Sequence, residues 1–207
     1  MYCPPQYAVT DRAALSAAIR DFPLATIIAC AERRAMLAYA PVVVDENDGA
    51  GLSVRFHLAR ANPAAALLTG CELLVSFRGP DAYISPNWYR SASMVPTWNY
   101  IAIEGRGRAT RLDRPRLRSL LEDLSAQEEA KLQSKQPWTT AKVAPERYEK
   151  LLDVIEGFVL RFDLLEGKFK LSQEKSALDF EGAIAGLEEH GHRRAHEVAT
   201  AMRRARA

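Results

Sequence analysis

Cysteine is scarce in this chain of 207 residues: three, at Cys3, Cys30 and Cys71, far apart and without a CxxC pair. An odd, dispersed set excludes a disulfide framework and points to a reduced compartment. Long apolar runs are missing too. None approaches the roughly 18 residues that a membrane helix needs, and the opening MYCPPQYAVTDR has neither a basic n-region nor an apolar core. Charge of one sign is nearly absent: 28 Lys+Arg against 26 Asp+Glu leave a net charge of +2. That balance excludes a global pull toward nucleic acid and leaves only local basic patches for such a role. Signature motifs are lacking as well. Gly105-Arg106-Gly107 has no third glycine, and there is no GxxxxGK[ST], GxSxG or HExxH, which excludes Rossmann, P-loop, hydrolase-elbow and zincin chemistry. These absences together predict a soluble, cytoplasmic protein with no ready-made catalytic signature.

The chain does have enough hydrophobic residues, 48%, to bury a sizeable core. Asp11 caps a helix over 11–20 whose inner residues are Leu15, Ala18 and Ile19. LATIIACA over 24–31 reads as a buried strand, and 36–44 as a second strand that Pro41 forces toward an edge. Over 52–58 the pattern alternates, with Leu52, Val54, Phe56 and Leu58 on one face. Asn62-Pro63 starts a short helix ending near Gly70. Strands follow over 72–77, 97–112 and 154–165, separated by a prolyl, aromatic loop over 79–96 and helices over 115–133 and 146–153. Cys30 and Cys71 lie in or beside apolar strand patterns and read as core residues. From residue 176 the chain reads as helical and polar. Short connections between early strands favour a mainly antiparallel, mainly β fold with flanking helices, a small barrel. The expected division is a barrel domain over 1–175 and a helical tail over 176–207.

Six clusters could carry chemistry. In HLARANP, His57 ends a strand while Arg60 and Asn62 stand at a helix start, a combination that suits a phosphate or an ordinary capped helix. In GPDAYISPNWY, Tyr83 and Ser85 share an extended face, and in VPTWNY so do Thr97 and Asn99. Small polar groups beside aromatics suit a flat heteroaromatic ligand, or a loop pinned by buried rings. Lys170, Ser172 and Gln173 form a short polar stretch that could also be a solvated linker. The tail carries His190, His192 and His196, a metal-compatible spacing or a mobile polar terminus. Arg106, Arg108 and Arg111 head a basic run that is either a solvated face or a phosphate-backbone patch.

HLARANP, GPDAYISPNWY, VPTWNY and KLSQ, in this order and spacing, resemble the PaiB-type FMN-binding negative transcriptional regulator family. MYCPPQY and GAIAGLE extend the similarity from the start to about residue 188. The resemblance implies an antiparallel split β-barrel of the pyridoxamine phosphate oxidase-like, FMN-binding type, usually a homodimer with flavin at the subunit interface. It implies His57, Arg60 and Asn62 at the flavin phosphate. Tyr83, Ser85, Thr97 and Asn99 would lie near the ribityl chain or ring, with Lys170, Ser172 and Gln173 closing the site. The chain departs from the family at Tyr39-Ala40-Pro41, where a histidine usually precedes the proline, at Glu104, where histidine is frequent, and at Glu174, where asparagine is.

A flavin-binding regulator without turnover is the function this resemblance implies. DNA contact would then run through local patches such as the Arg106, Arg108 and Arg111 region, since no helix-turn-helix is visible. A flavin-dependent oxidoreductase acting on a small molecule is the alternative. A haem-binding split barrel with a tail histidine as ligand is a second.

Overall fold

The computed structural model describes residues 1–31, 34–47, 51–132, 135–189 and 193–206. In chain order the elements are β1 (Ala8–Val9), α1 (Arg12–Asp21), β2 (Leu24–Ala31), β3 (Arg34–Pro41), β4 (Val43–Asn47) and β5 (Gly51–Ala59). There follow β6 (Leu73–Ile84), β7 (Thr97–Arg111), α2 (Arg114–Leu132), α3 (Pro145–Asp153), β8 (Ile155–Lys170), α4 (Ala177–Glu189) and α5 (Arg193–Arg206). The strands form one sheet in the order β3-β2-β6-β7-β8-β5-β4, with β1 paired to β8. All registered pairs are antiparallel. By contacts the chain divides into two compact units. One comprises Met1–Leu15, Arg78–Ile103 and Glu166–Ala207, the other Ser16–Phe77 and Glu104–Leu165.

The second unit is the barrel. β3 and β4 stand at opposite ends of the strand order yet only Val42 separates them in sequence, so the sheet curls back on itself into a split barrel whose edges are β3 and β4. The expected single strand over 36–44 is therefore two. Pro41 is the last residue of β3, at the sheet edge, where a residue without an N–H is tolerated. Inward residues alternate as expected: Val54, Phe56, Phe158 and Leu160 are buried, with Phe56 and Phe158 stacked at 5.5 Å. A Cβ at Gly107 would strike the carbonyl of Arg161, so β7 passes β8 where only glycine fits. α2 lays Leu117 and Leu120 on Val43 and Leu152. Cys30, expected in the core, is exposed on the outward side of β2, because the strand's alternation buries Ala25, Ile27 and Ala29 instead.

The first unit is built on the far ends of three long strands. β6 runs on through Gly79-Pro80 into what the sequence marks as loop. Its ladder with β2 stops at Phe77, so Pro80 sits where no partner on that side needs its missing N–H. β8 continues to Lys170, five residues past the expected end. The tail is not a mobile polar terminus over the described residues. Phe180, Ala183, Ile184 and Leu187 of α4 and Ala195, Val198, Ala199 and Met202 of α5 are buried with Ile84, Tyr89 and Ile101. Each large apolar side chain so buried contributes about 1.5–3 kcal/mol, which outweighs the arginines on the outer side of α5. His196 is exposed on α5, whereas His190 and His192 lie outside the described residues. Among the described residues no helix is long and apolar enough to cross a membrane.

Candidate functional site

In the first unit the polar motifs of the sequence gather beside an open groove of about 920 Å³. Its aromatic walls are Tyr83, Trp88 and Trp98, and Ser85 and Asn87 stand at its rim. Tyr83 and Trp98 are each about half exposed, 47% and 52%, and meet edge to face at 6.4 Å. An exposed aromatic pair leaves ring faces available for stacking. Ser85 is held in place locally: its hydroxyl accepts from the Asn87 N–H at 3.3 Å and caps a single 3-10 turn, Pro86–Trp88. Trp88 is seated by glycines. A Cβ at Gly182 would strike the Trp88 carbonyl, and one at Gly186 would overlap its indole. The GAIAGLE segment of α4 is thus a socket for this groove wall.

Behind the groove lies a set of buried polar braces. Asn99, fully buried, donates from Nδ2 to Ser172 Oγ at 2.9 Å and to Met202 Sδ at 3.4 Å. Ser172, also buried, has φ +62°, a conformation that costs a non-glycine residue about 1–3 kcal/mol unless its surroundings hold it. Lys170 Nζ donates to Thr97 Oγ1. Gln173 folds back, its Oε1 accepting from the Leu171 N–H at 2.7 Å and its Nε2 donating to the Phe169 carbonyl. KLSQ is therefore a strand end and braced turn rather than a solvated linker. The structure joins Thr97 to Lys170 and Asn99 to Ser172, and puts Tyr83 and Ser85 in the groove.

His57, Arg60 and Asn62 belong to the second unit. Asn62 is the expected cap: its Oδ1 accepts from Ala64 N at 3.0 Å, but the element is only the 3-10 turn Pro63–Ala66. Arg60 is engaged rather than free. It pairs with Glu156 at 2.7 Å and donates to the carbonyls of Asp153 and Ile155 at 3.0 and 3.3 Å. His57 lies opposite Gly157 on β5 with a buried Nδ1 that has no hydrogen-bond partner among the described residues. Burial pushes its pKa below the ordinary histidine value, so the ring is neutral and one buried nitrogen awaits a partner. That orphaned atom fits a polar ligand at this strand end.

Three contributors are not among the residues that the sequence singles out. Trp98 lies on the opposite face of β7 from Thr97 and Asn99, and alternation alone would have exposed it. Arg194 lines the groove and pairs with buried Asp81 at 3.1 Å, a contact spanning 113 positions that no local pattern encodes. Asp179 is legible in hindsight: Ser176-x-x-Asp179 ahead of an apolar run is a capping box. It accepts from the N–H groups of Arg90 and Ser91 at 2.7 and 2.9 Å, from Ser91 Oγ at 2.7 Å and from Ser176 Oγ at 3.0 Å. These donors, Ser91 foremost, hold its pKa down to about 2. Among the described residues no group of three His, Cys, Asp or Glu could hold a metal ion.

The architecture is that of a split barrel, and comparison with known proteins agrees. A solved structure of the FAD and haem binding protein from Mycobacterium smegmatis superposes with a TM-score of 0.57 at 18% identity, covering 86% of this chain and 80% of that one. Residues 1–163 match the family described as "Putative FMN-binding domain", and the chain belongs to that family. FMN is accordingly its cofactor. The protease synthase and sporulation protein PAI 2 of Bacillus subtilis is 28% identical over 203 residues, covering 98% of this chain and 96% of that protein. An uncharacterised protein of Emericella nidulans, AN0679, is 31% identical over 232 residues, covering 92% of each.

Proposed function

We propose that this chain is an FMN-binding negative transcriptional regulator that holds its flavin at a homodimer interface. The observation that carries the reading is the similarity along 98% of the chain to PAI 2 of Bacillus subtilis, whose name ties it to protease synthesis and sporulation. Membership of an FMN-binding family and the lack of any clustered nucleophile and base in the sequence support it. FMN supplies redox and spectroscopic chemistry when bound. For this chain's own residues the assignment is as follows. His57, Arg60 and Asn62 hold the phosphate end, the orphaned His57 nitrogen gaining a partner and Arg60 turning from Glu156. Tyr83 and Ser85 lie along the ribityl chain or ring, Thr97 and Lys170 position its polar edge, and Asn99, Ser172 and Gln173 keep the turn beneath it rigid. DNA contact falls to the local basic surface around Arg106, Arg108 and Arg111.

Two measurements test the reading. Purified protein titrated with FMN should bind it and quench its fluorescence; a protein that takes up no flavin loses the proposal at its centre. Gel shifts with its own promoter DNA should show a complex at low salt that weakens steeply as salt rises. Absence of any complex, together with catalytic bleaching of the bound flavin by NADH or NADPH, would instead establish the oxidoreductase.

A further inference from the structure

The outward face of the barrel unit holds a half-open basin of about 710 Å³ whose walls carry arginines from four elements. Strand alternation explains how they meet. Ser53 lies directly opposite Arg161, and Arg55 opposite Val159, while Arg108 and Thr110 share the outward face of β7. The intervening residues Val54, Leu160 and Ala109 are core, so every second position is driven outward. Arg116, from the first turn of α2, closes the rim.

The arginines are not equivalent. Arg55 is neutralised by Asp45 at 2.6 Å and by Asp123 at 2.8 Å. Elsewhere on this unit Arg60, Arg114 and Arg118 have carboxylate partners as well. Arg108, Arg116 and Arg161 have no ion pair among the described residues, and Asp163 is the one further carboxylate of the lining. Three cations facing one concavity repel one another, to an extent that water and salt screen, and a bound counter-charge relieves that repulsion further. The chain as a whole carries only +2, so this local excess is a feature of the site rather than of the composition.

The geometry points to a binding site for a small multivalent anion, a pyrophosphate, bisphosphate or polycarboxylate, in this basin. Guanidinium groups with flanking hydroxyls suit phosphate oxygens, which they grip in pairs. Among the described residues no aromatic side chain lines the basin, and Val159 is its one apolar side chain. A nucleobase or flavin ring would find nothing to stack on, which separates this site from the aromatic groove of the other unit.

Inorganic pyrophosphate is the probe. Added to the FMN-saturated protein at about a hundredfold excess over Kd, it should raise the unfolding midpoint by about 5 °C beyond sodium chloride of equal ionic strength. The double variant Arg108→Gln/Arg161→Gln should lose at least tenfold in pyrophosphate affinity while keeping its flavin absorbance and FMN affinity. Arg116→Gln, alone on the rim, should lose less. No shift beyond the salt control would overturn the site, as would an unchanged affinity in the double variant. Duplex DNA binding that the double variant abolishes, with pyrophosphate inert, would also overturn it and make the basin a backbone contact.

Discussion

The two ends of β7 serve opposite purposes. From Thr97 to Ile103 the strand gives its inward positions to a sealed interior, where Asn99 meets Ser172, and it sets Trp98 beside an open aromatic groove. From Glu104 to Arg111 its inward positions are glycine and alanine, and its outward ones are Glu104, Arg106, Arg108 and Thr110, of which Arg108 and Thr110 line a polar basin. One alternation thus produces both surfaces. What differs is the covering elements: helices α4 and α5 of the same chain bury the first stretch, whereas the second lies on a curled sheet with the start of α2 at the basin's rim. The buried carboxylates of the first unit, Asp81 and Asp179, are met by protein donors, whereas three arginines of the basin in the second have no ion pair among the described residues.

The largest effect should follow from breaking the satisfied side. Asp179 is buried and receives hydrogen bonds from both Arg90 and Ser91 amides and two serine hydroxyls. Asp179→Ala leaves those donors without a partner and frees the segment that carries Trp88. A fall of about 10 °C in the unfolding midpoint is expected, and a fall within a degree or two would show that the 90s segment is held by other means. The pH dependence has a definite sign. The Ser91, Ser176 and Arg90 donors hold the folded carboxyl down to about 2, below the ordinary 3.8, so its stabilisation is present above the unfolded value and is lost as pH falls toward 2. Acid unfolding of Asp179→Asn should lack that component.

A smaller effect tests the glycine socket. Gly186→Ala puts a methyl group into the Trp88 indole. Forced repacking of this kind costs about 1–3 kcal/mol, and it should also shift the tryptophan emission, because Trp88 must move outward. A variant with native emission and native stability would mean that the groove wall is soft.

The sequence discloses the local half of this molecule and conceals the rest. The Asp11 and Asn62 caps, the edge position of Pro41 and the alternation of β5 and β7 all follow from neighbours within four residues, and the structure bears them out. What failed depended on distant partners. β6 could run through Gly79-Pro80 only because β2 ends beside Phe77. The arginine-rich tail is ordered over its described helices because Ile84, Tyr89 and Ile101 need covering. The basin joins Ser53, Arg108 and Arg161, residues placed side by side by strand order alone. Of the motif residues, Arg60 stood out as a cation at a helix start, and nothing local revealed its capture by Glu156.

On the charged side, His57 offers a pH-linked test. Burial lowers its folded pKa, so protonation opposes the fold: stability should decline as pH drops below the ordinary histidine value and hold steady above it. Saturating FMN should change that profile if the orphaned Nδ1 acquires a partner from the flavin. Identical profiles with and without FMN would place the cofactor away from His57.

Arg60→Ala should have the smallest effect on stability and the sharpest meaning. Its pairing with Glu156 is more than half exposed on the arginine side, at 58%, and such pairs contribute about 0–1 kcal/mol. Unfolding should therefore hardly change. FMN affinity should drop if the guanidinium leaves Glu156 for the phosphate, whereas Glu156→Gln, which removes the competing carboxylate and frees Arg60, should raise it. The two variants pull apart when the reading is right: removing Arg60 weakens FMN, and removing the Glu156 carboxylate strengthens it. Unchanged affinity in both would leave Arg60 as a staple between the β5 end and β8, and would move the phosphate to another part of the fold.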